Sequence, residues 1–145
     1  MFYKKNRKNG LLVDKQGFTL VELLVVVAII GLLSGMVMLS INSVKAKTRD
    51  TQRVTDMNSI NTVLNLYHTT YFAYPIFDGF ITGTDDFSTT LKNSELINTV
   101  PTDPLNSGDY RYYYQSVDGQ DFYLQYYLET NSINGKNSGQ NYIVP

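Results

Sequence analysis

The sequence predicts an α+β fold: a long N-terminal α-helix, apolar in its first half and amphipathic in its second, packed on a small antiparallel β-sheet. Three observations carry this expectation. Phe18 to Ile41 is a 24-residue run with a single charge, Glu22. A helical stripe of apolar residues follows it, and every proline lies after residue 72. The chain also has 12 tyrosines, most of them in its second half, a composition that suits a compact pleated sheet.

The chain divides into four zones. Residues 1–17 are short and basic: Lys4, Lys5, Arg7, Lys8 and Lys15 stand against Asp14, a local charge of +4 within a whole-chain charge of −1. Everything from Phe18 onward therefore sums to −5, the opposite of the balance a nucleic-acid-binding chain shows, and nucleic acid is not an expected partner. Residues 18–41 exceed the roughly 20 apolar residues that cross a bilayer core, which predicts a transmembrane helix surrounded by lipid or by neighbouring subunits. A cleaved secretory signal is the competing reading, with Val44-Lys45-Ala46 as a poor cut site. Apolar regions of such signals run to only about 7–15 residues, so that reading is rejected.

Residues 42–72 continue the helix. Val54, Met57, Ile60, Leu64, Tyr67 and Tyr71 recur at helical spacing, a one-sided stripe that faces a core. No proline intervenes before Pro75, so one helix from about Phe18 to Phe72 is expected, roughly 80 Å at 1.5 Å per residue. Residues 73–145 form the small globular domain. Thr84-Asp85-Asp86 is placed to cap a short helix carrying Phe87 and Leu91. Val100-Pro101-Thr102-Asp103-Pro104 reads as a rigid extended connector.

A β-hairpin is expected over 110–129, with a three-residue loop at Val117-Asp118-Gly119 and Gly119 left-handed. That loop sets Phe122 opposite Tyr114 and Leu124 opposite Tyr112, with Tyr113, Tyr123 and Tyr127 on the partly solvated face. Asn131 to Asn141 reads as a loose loop, and Tyr142-Ile143-Val144 as a short returning edge strand.

Lys15-Gln16-Gly17-Phe18-Thr19-Leu20-Val21-Glu22 is the most informative segment. Glycine before a junction leaves the backbone accessible, and a cut after it creates a positive amine at the head of an apolar helix. A carboxylate at the bilayer centre costs about 2.5–3.5 kcal/mol on insertion scales, less near the interface, so Glu22 needs a partner. This basic leader, Gly-Phe junction, Glu five residues after the cut and following apolar run resemble the signal of the type IV pilin and type II secretion pseudopilin superfamily.

The resemblance implies cleavage between Gly17 and Phe18 by a membrane prepilin peptidase and N-methylation of Phe18. It also implies pairing of Glu22 with the Phe18 amine of a neighbouring copy, which removes two desolvation costs at once. It covers Lys15 to Phe72 closely and Tyr74 to Glu129 more loosely, the latter through Tyr74-Pro75 and Leu96–Pro104. Gly31 sits where the family often has glycine. Leu39 stands where many pilins carry a helix-kinking proline, so any kink falls to Gly35. The implied function is a structural subunit of a type IV pilus-like filament. The alternative is a pseudopilin of a secretion or DNA-uptake machine, and a third reading is a membrane-anchored binding module that never polymerises. The implied partners are further copies of the chain, the peptidase, an assembly-platform membrane protein and the membrane. The implied location is the bacterial cytoplasmic membrane, N-terminus inside, followed by a surface or periplasmic filament.

The chain has no cysteine, which excludes disulfides, thiolate metal sites and the disulfide-closed loop of some pilins. No enzyme is expected, because no nucleophile–base pair or metal-ligand spacing is visible. His68, the single histidine, reads as a surface or interface residue. No cofactor is expected. Asp103, Asp109, Asp118 and Asp121, with Asn106, are the oxygen ligands that calcium would use, but aspartates in turns serve local hydrogen bonding and that reading is preferred. Lys45, Lys47, Arg49 and Arg53 read as a basic patch, best matched to an acidic face of the next subunit.

Overall fold

The computed structural model describes residues 17–145, apart from the side chains of 36–40; of the basic leader expected over 1–17, all but Gly17 lies outside the described residues. Helix α1 runs Leu20–Tyr71, 52 residues, and its helical backbone continues through Gly31 and Gly35. By internal packing the chain forms two units, Met1–Leu39 and Ser40–Pro145. In the first, every described side chain from Phe18 to Gly35 is exposed. An apolar helix without a polar face has no core of its own to bury against.

The second unit is α+β. Its elements after α1 are β1 (Phe77–Phe80), α2 (Asp86–Asn93), β2 (Tyr113–Ser116), β3 (Tyr123–Leu128) and β4 (Gly139–Ile143). The strands form one antiparallel sheet in the order β1-β2-β3-β4. The predicted stripe on α1 supplies one side of the core: Met57, Ile60 and Leu64 are fully buried, and Val54 and Tyr67 pack at its margin. Tyr71 is half exposed, because the helix ends there. The other side is the inner sheet face, Tyr112, Tyr114, Leu124, Tyr126 and Leu128, closed by Phe87 and Leu91 of α2. Phe87 stacks on Tyr114 with ring centroids 4.2 Å apart.

α2 starts where the sequence places it. The Asp85 carboxylate accepts from the Ser88 N–H at 2.8 Å and also from the Thr82 N–H at 2.7 Å, capping the helix and fixing the chain that enters it.

The hairpin differs from expectation in register but not in facing. Tyr114 pairs with Leu124 and Gln115 with Tyr123, so Leu124 lies opposite Tyr114 rather than Tyr112. A slip of two residues preserves which face each side chain takes. Tyr112 and Tyr114 remain buried with Leu124, while Tyr113, Tyr123 and Tyr127 are partly solvated. The loop is longer than three residues because it does tertiary work. The Tyr74 N–H donates to the Gly119 carbonyl at 2.8 Å. Gly119 has φ +75°, and a Cβ there would lie 3.1 Å from the Tyr74 carbonyl oxygen. The loop thus latches the segment leaving α1, and left-handed glycine is required at the contact.

Two strand assignments are corrected. Phe77–Phe80 is an edge strand that the sequence reading does not anticipate, pairing Phe80 with Tyr113. The returning strand is longer than expected and begins at Gly139, which shortens the loose loop before it. On the solvent side of the sheet, Gln140 donates to the Tyr123 hydroxyl and to Gln125 Oε1, both at 3.0 Å, tying β4 to β3.

The expected basic patch is also corrected. Lys45 and Lys47 are exposed, but Arg53 is fully buried and Arg49 leans inward. Arg53 donates to both oxygens of Asp103 (Nε at 2.6 Å, Nη2 at 3.1 Å), to Asp50 at 2.9 Å and to Glu129 at 2.6 Å. Its guanidinium also lies 4.8 Å from the Tyr110 ring centroid. Arg49 pairs with Glu129. Asp50 accepts from the Glu129 and Thr130 N–H groups, both at 2.8 Å, and Asp103 accepts from the Leu105 N–H at 2.8 Å. The cluster fastens α1 to the proline-rich connector and to the end of β3. The buried Asp50 and Asp103 carboxylates are each satisfied by both charge and backbone, and Glu129 is held by the two arginines.

Burial alone would lower the Arg53 pKa, but the facing carboxylates of Asp103, Glu129 and Asp50 outweigh it and raise it. The Arg49 guanidinium, aided by Arg53, holds the Glu129 carboxyl below its ordinary value. A depressed carboxylate contributes stability that is present above its unfolded pKa and lost as pH falls through the folded one. Thermal melts of the full chain in detergent are therefore expected to shift downward on acidification from pH 5 toward pH 3, a range set by ordinary carboxyl values of about 4. Glu129→Gln should flatten that slope, and an identical slope in the variant contradicts this assignment.

Finally, α1 from residue 44 onward carries a row of hydroxyls that donate to the carbonyl four residues back. They belong to Thr48, Thr51, Thr55, Ser59, Thr62, Thr69 and Thr70, at 2.8–3.0 Å.

Candidate processing and assembly site

Gly17 and Phe18 precede α1 in non-helical backbone, and both are exposed. No atom lies within 4 Å of where a Gly17 Cβ would stand, and Phe18 is 83 % exposed. Among the described residues, an enzyme binding the Phe18 side of this peptide in extended form meets no secondary structure to melt before Leu20 and no packed side chain to displace.

Thr19 begins the helix, and here the structure shows a device the sequence reading missed. The Thr19 N–H and hydroxyl both donate to Glu22 Oε2, at 2.9 and 2.8 Å. The Glu22 N–H in turn donates to Thr19 Oγ1 at 3.2 Å. This reciprocal pair is a capping box: two of the helix's orphan N–H groups are satisfied by side chains three residues apart. The signal was legible as Thr-x-x-Glu before an apolar run. Glu22 also sits in the first turn, where the helix dipole favours negative charge. Both described side-chain bonds fall on Oε2, so the carboxylate has a second oxygen with which to meet a cation.

The remaining candidates do not gather into a site. His68 is half-buried and stacks on Tyr74 with ring centroids 4.5 Å apart. Asp103 is committed to Arg53, and Asp118 accepts from the Gln120 N–H at 3.0 Å. Among the described residues no group of three or more His, Asp or Glu side chains is placed to hold a metal ion. Also among the described residues, no helix is long and apolar enough to cross a membrane.

Residues 13–38 match the family model of the prokaryotic N-terminal methylation motif. That segment contains Gly17, Phe18, Thr19 and Glu22 together with most of the exposed apolar run. No curated protein and no solved structure matches the chain. The exposed Gly17-Phe18 junction and the capped acidic first turn thus lie inside a segment similar to the N-terminal methylation motif that marks precursors of type IV pilins and pseudopilins, followed by an α+β domain.

Proposed function

We propose that the chain is a structural subunit, cut between Gly17 and Phe18, methylated on the Phe18 amine and polymerised into a type IV pilus-like filament. The single observation that carries this reading is the methylation motif laid over an exposed junction and an unburied apolar helix. In the precursor the apolar run of 24 residues anchors the chain once in the cytoplasmic membrane with its leader inside, and an assembly-platform protein draws it from there into the filament.

Cleavage exposes an amine four residues before Glu22. Within a packed bundle of apolar helices neither the amine nor the carboxylate reaches water, so each gains most by facing the other on an adjacent copy. Glu22 then serves two partners: Oε2 closes its own helix start, and Oε1 receives the neighbour's Phe18 amine. The charge pair fixes the axial stagger of the polymer, and the apolar helix supplies the non-directional attraction.

Mass spectrometry of the N-terminus, from sheared surface material or membranes, tests the processing step. A chain beginning at methylated Phe18 is expected. A chain recovered from Met1 with the leader intact overturns the proposal.

A further inference from the structure

We infer that Asn134 is a site of spontaneous covalent modification, converting through a succinimide to a mixture of aspartate and isoaspartate. Among the described residues Asn134-Gly135 is the one Asn-Gly pair. It lies at the centre of a four-residue turn closed by the Lys136 N–H donating to the Ile133 carbonyl at 3.1 Å, in the connection between β3 and β4. Gly135 has φ +75°, with no atom within 4 Å of where its Cβ would stand, and Asn134 is exposed. The space beside Gly135 is open, and among the described residues the Asn134 side chain makes no hydrogen bond that would hold it away from the Gly135 nitrogen.

The chemistry needs only water. The Gly135 amide nitrogen gives up its proton and attacks Asn134 Cγ. The N–Cγ bond forms, the Cγ–Nδ2 bond breaks, and ammonia leaves with that proton. Water then opens the five-membered ring at either carbonyl. One opening leaves a normal aspartyl backbone; the other routes the backbone through the former side chain and adds a methylene to it.

Two neighbouring asparagines are restrained where Asn134 is not, and Asn137 is followed by Ser138 rather than glycine. Asn131 Oδ1 accepts from the Ser138 N–H at 2.6 Å, and Asn141 donates to the carbonyls of Asn137 and Gly139 at 2.9 and 3.0 Å. Each is also followed by a residue bulkier than glycine, which hinders the attack. Either product places a new negative charge two residues from Lys136, whose ammonium lies 5.4 Å from the buried Tyr126 ring. The isoaspartyl product also lengthens the turn that delivers edge strand β4 to the sheet.

Incubation of the purified full chain at neutral and mildly alkaline pH, with peptide mapping over time, tests the inference. The expected result is a one-dalton gain on the Asn134 peptide that precedes conversion of every other described asparagine, speeds up with pH, and includes an isoaspartyl form accepted by isoaspartyl methyltransferase. Asn134→Gln, which keeps the amide but disfavours the five-membered ring, should abolish the early conversion without altering the circular dichroism of the chain. Conversion of Asn131 or Asn141 ahead of Asn134 overturns the inference, and so does a product containing aspartate alone.

Discussion

Replacing Arg53 by alanine is expected to lower the stability of the Ser40–Pro145 unit by about 3–5 kcal/mol, the usual cost of removing one partner from a buried ion cluster. That is a large share of the 5–15 kcal/mol typical of a whole domain. The cost lies less in the lost attraction than in what remains: Asp50 and Asp103 have fully buried side chains and would be left without a counter-ion. Arg53→Lys separates charge from geometry. An ammonium preserves the charge but cannot span both oxygens of Asp103 as Nε and Nη2 do, so an intermediate loss is expected. Denaturation of the full chain in detergent, followed by the near-ultraviolet dichroism of its tyrosines, measures both variants. An Arg53→Ala chain as stable as its parent would show that the cluster contributes nothing net.

Glu22→Ala is expected to abolish filaments while leaving cleavage after Gly17 intact. The substitution removes the capping box as well as the proposed amine partner, and a lost cap costs only about 0.5–2 kcal/mol of local helix stability. Thr19→Ala distinguishes the two roles: it breaks the reciprocal cap at Thr19 but keeps the carboxylate. Filaments should survive Thr19→Ala and disappear with Glu22→Ala, as seen by electron microscopy alongside immunoblots of the processed chain. Normal filaments from Glu22→Ala would refute the polymer mechanism. Loss in both variants would assign the effect to helix initiation.

Much of this fold was legible because it is written at short range. The spacing of Met57, Ile60 and Leu64 gave the buried face of α1, alternation gave the facing of β2 and β3, and Asp85 marked the start of α2. What escaped depends on distant partners. Arg53 reads as a surface charge in a basic neighbourhood, and its burial follows only once Asp103 and Glu129, 50 and 76 residues away, are brought against it. The hairpin register was misplaced because loop length there is set by the latch to Tyr74 rather than by the turn itself. Strand β1 is four residues with a glycine inside, too short for periodicity to declare, and it exists through pairing with β2. At the junction, Gly17, Phe18 and Glu22 were legible from their motif. The Thr19 cap is just as local, a Thr-x-x-Glu pattern before an apolar run, although the expected partner of Glu22 was the amine of another copy.

The row of back-bonded threonines on α1 has a consequence for drying that flank of the helix. A hydroxyl whose proton is already spent on its own backbone leaves chiefly its methyl group turned outward, and it asks little of the water beside it. Expelling that water forfeits far less than stripping a lysine or glutamate would. Such a helix is wettable when alone yet ready to be covered, a compromise that would suit the proposed filament subunit both before and after its incorporation.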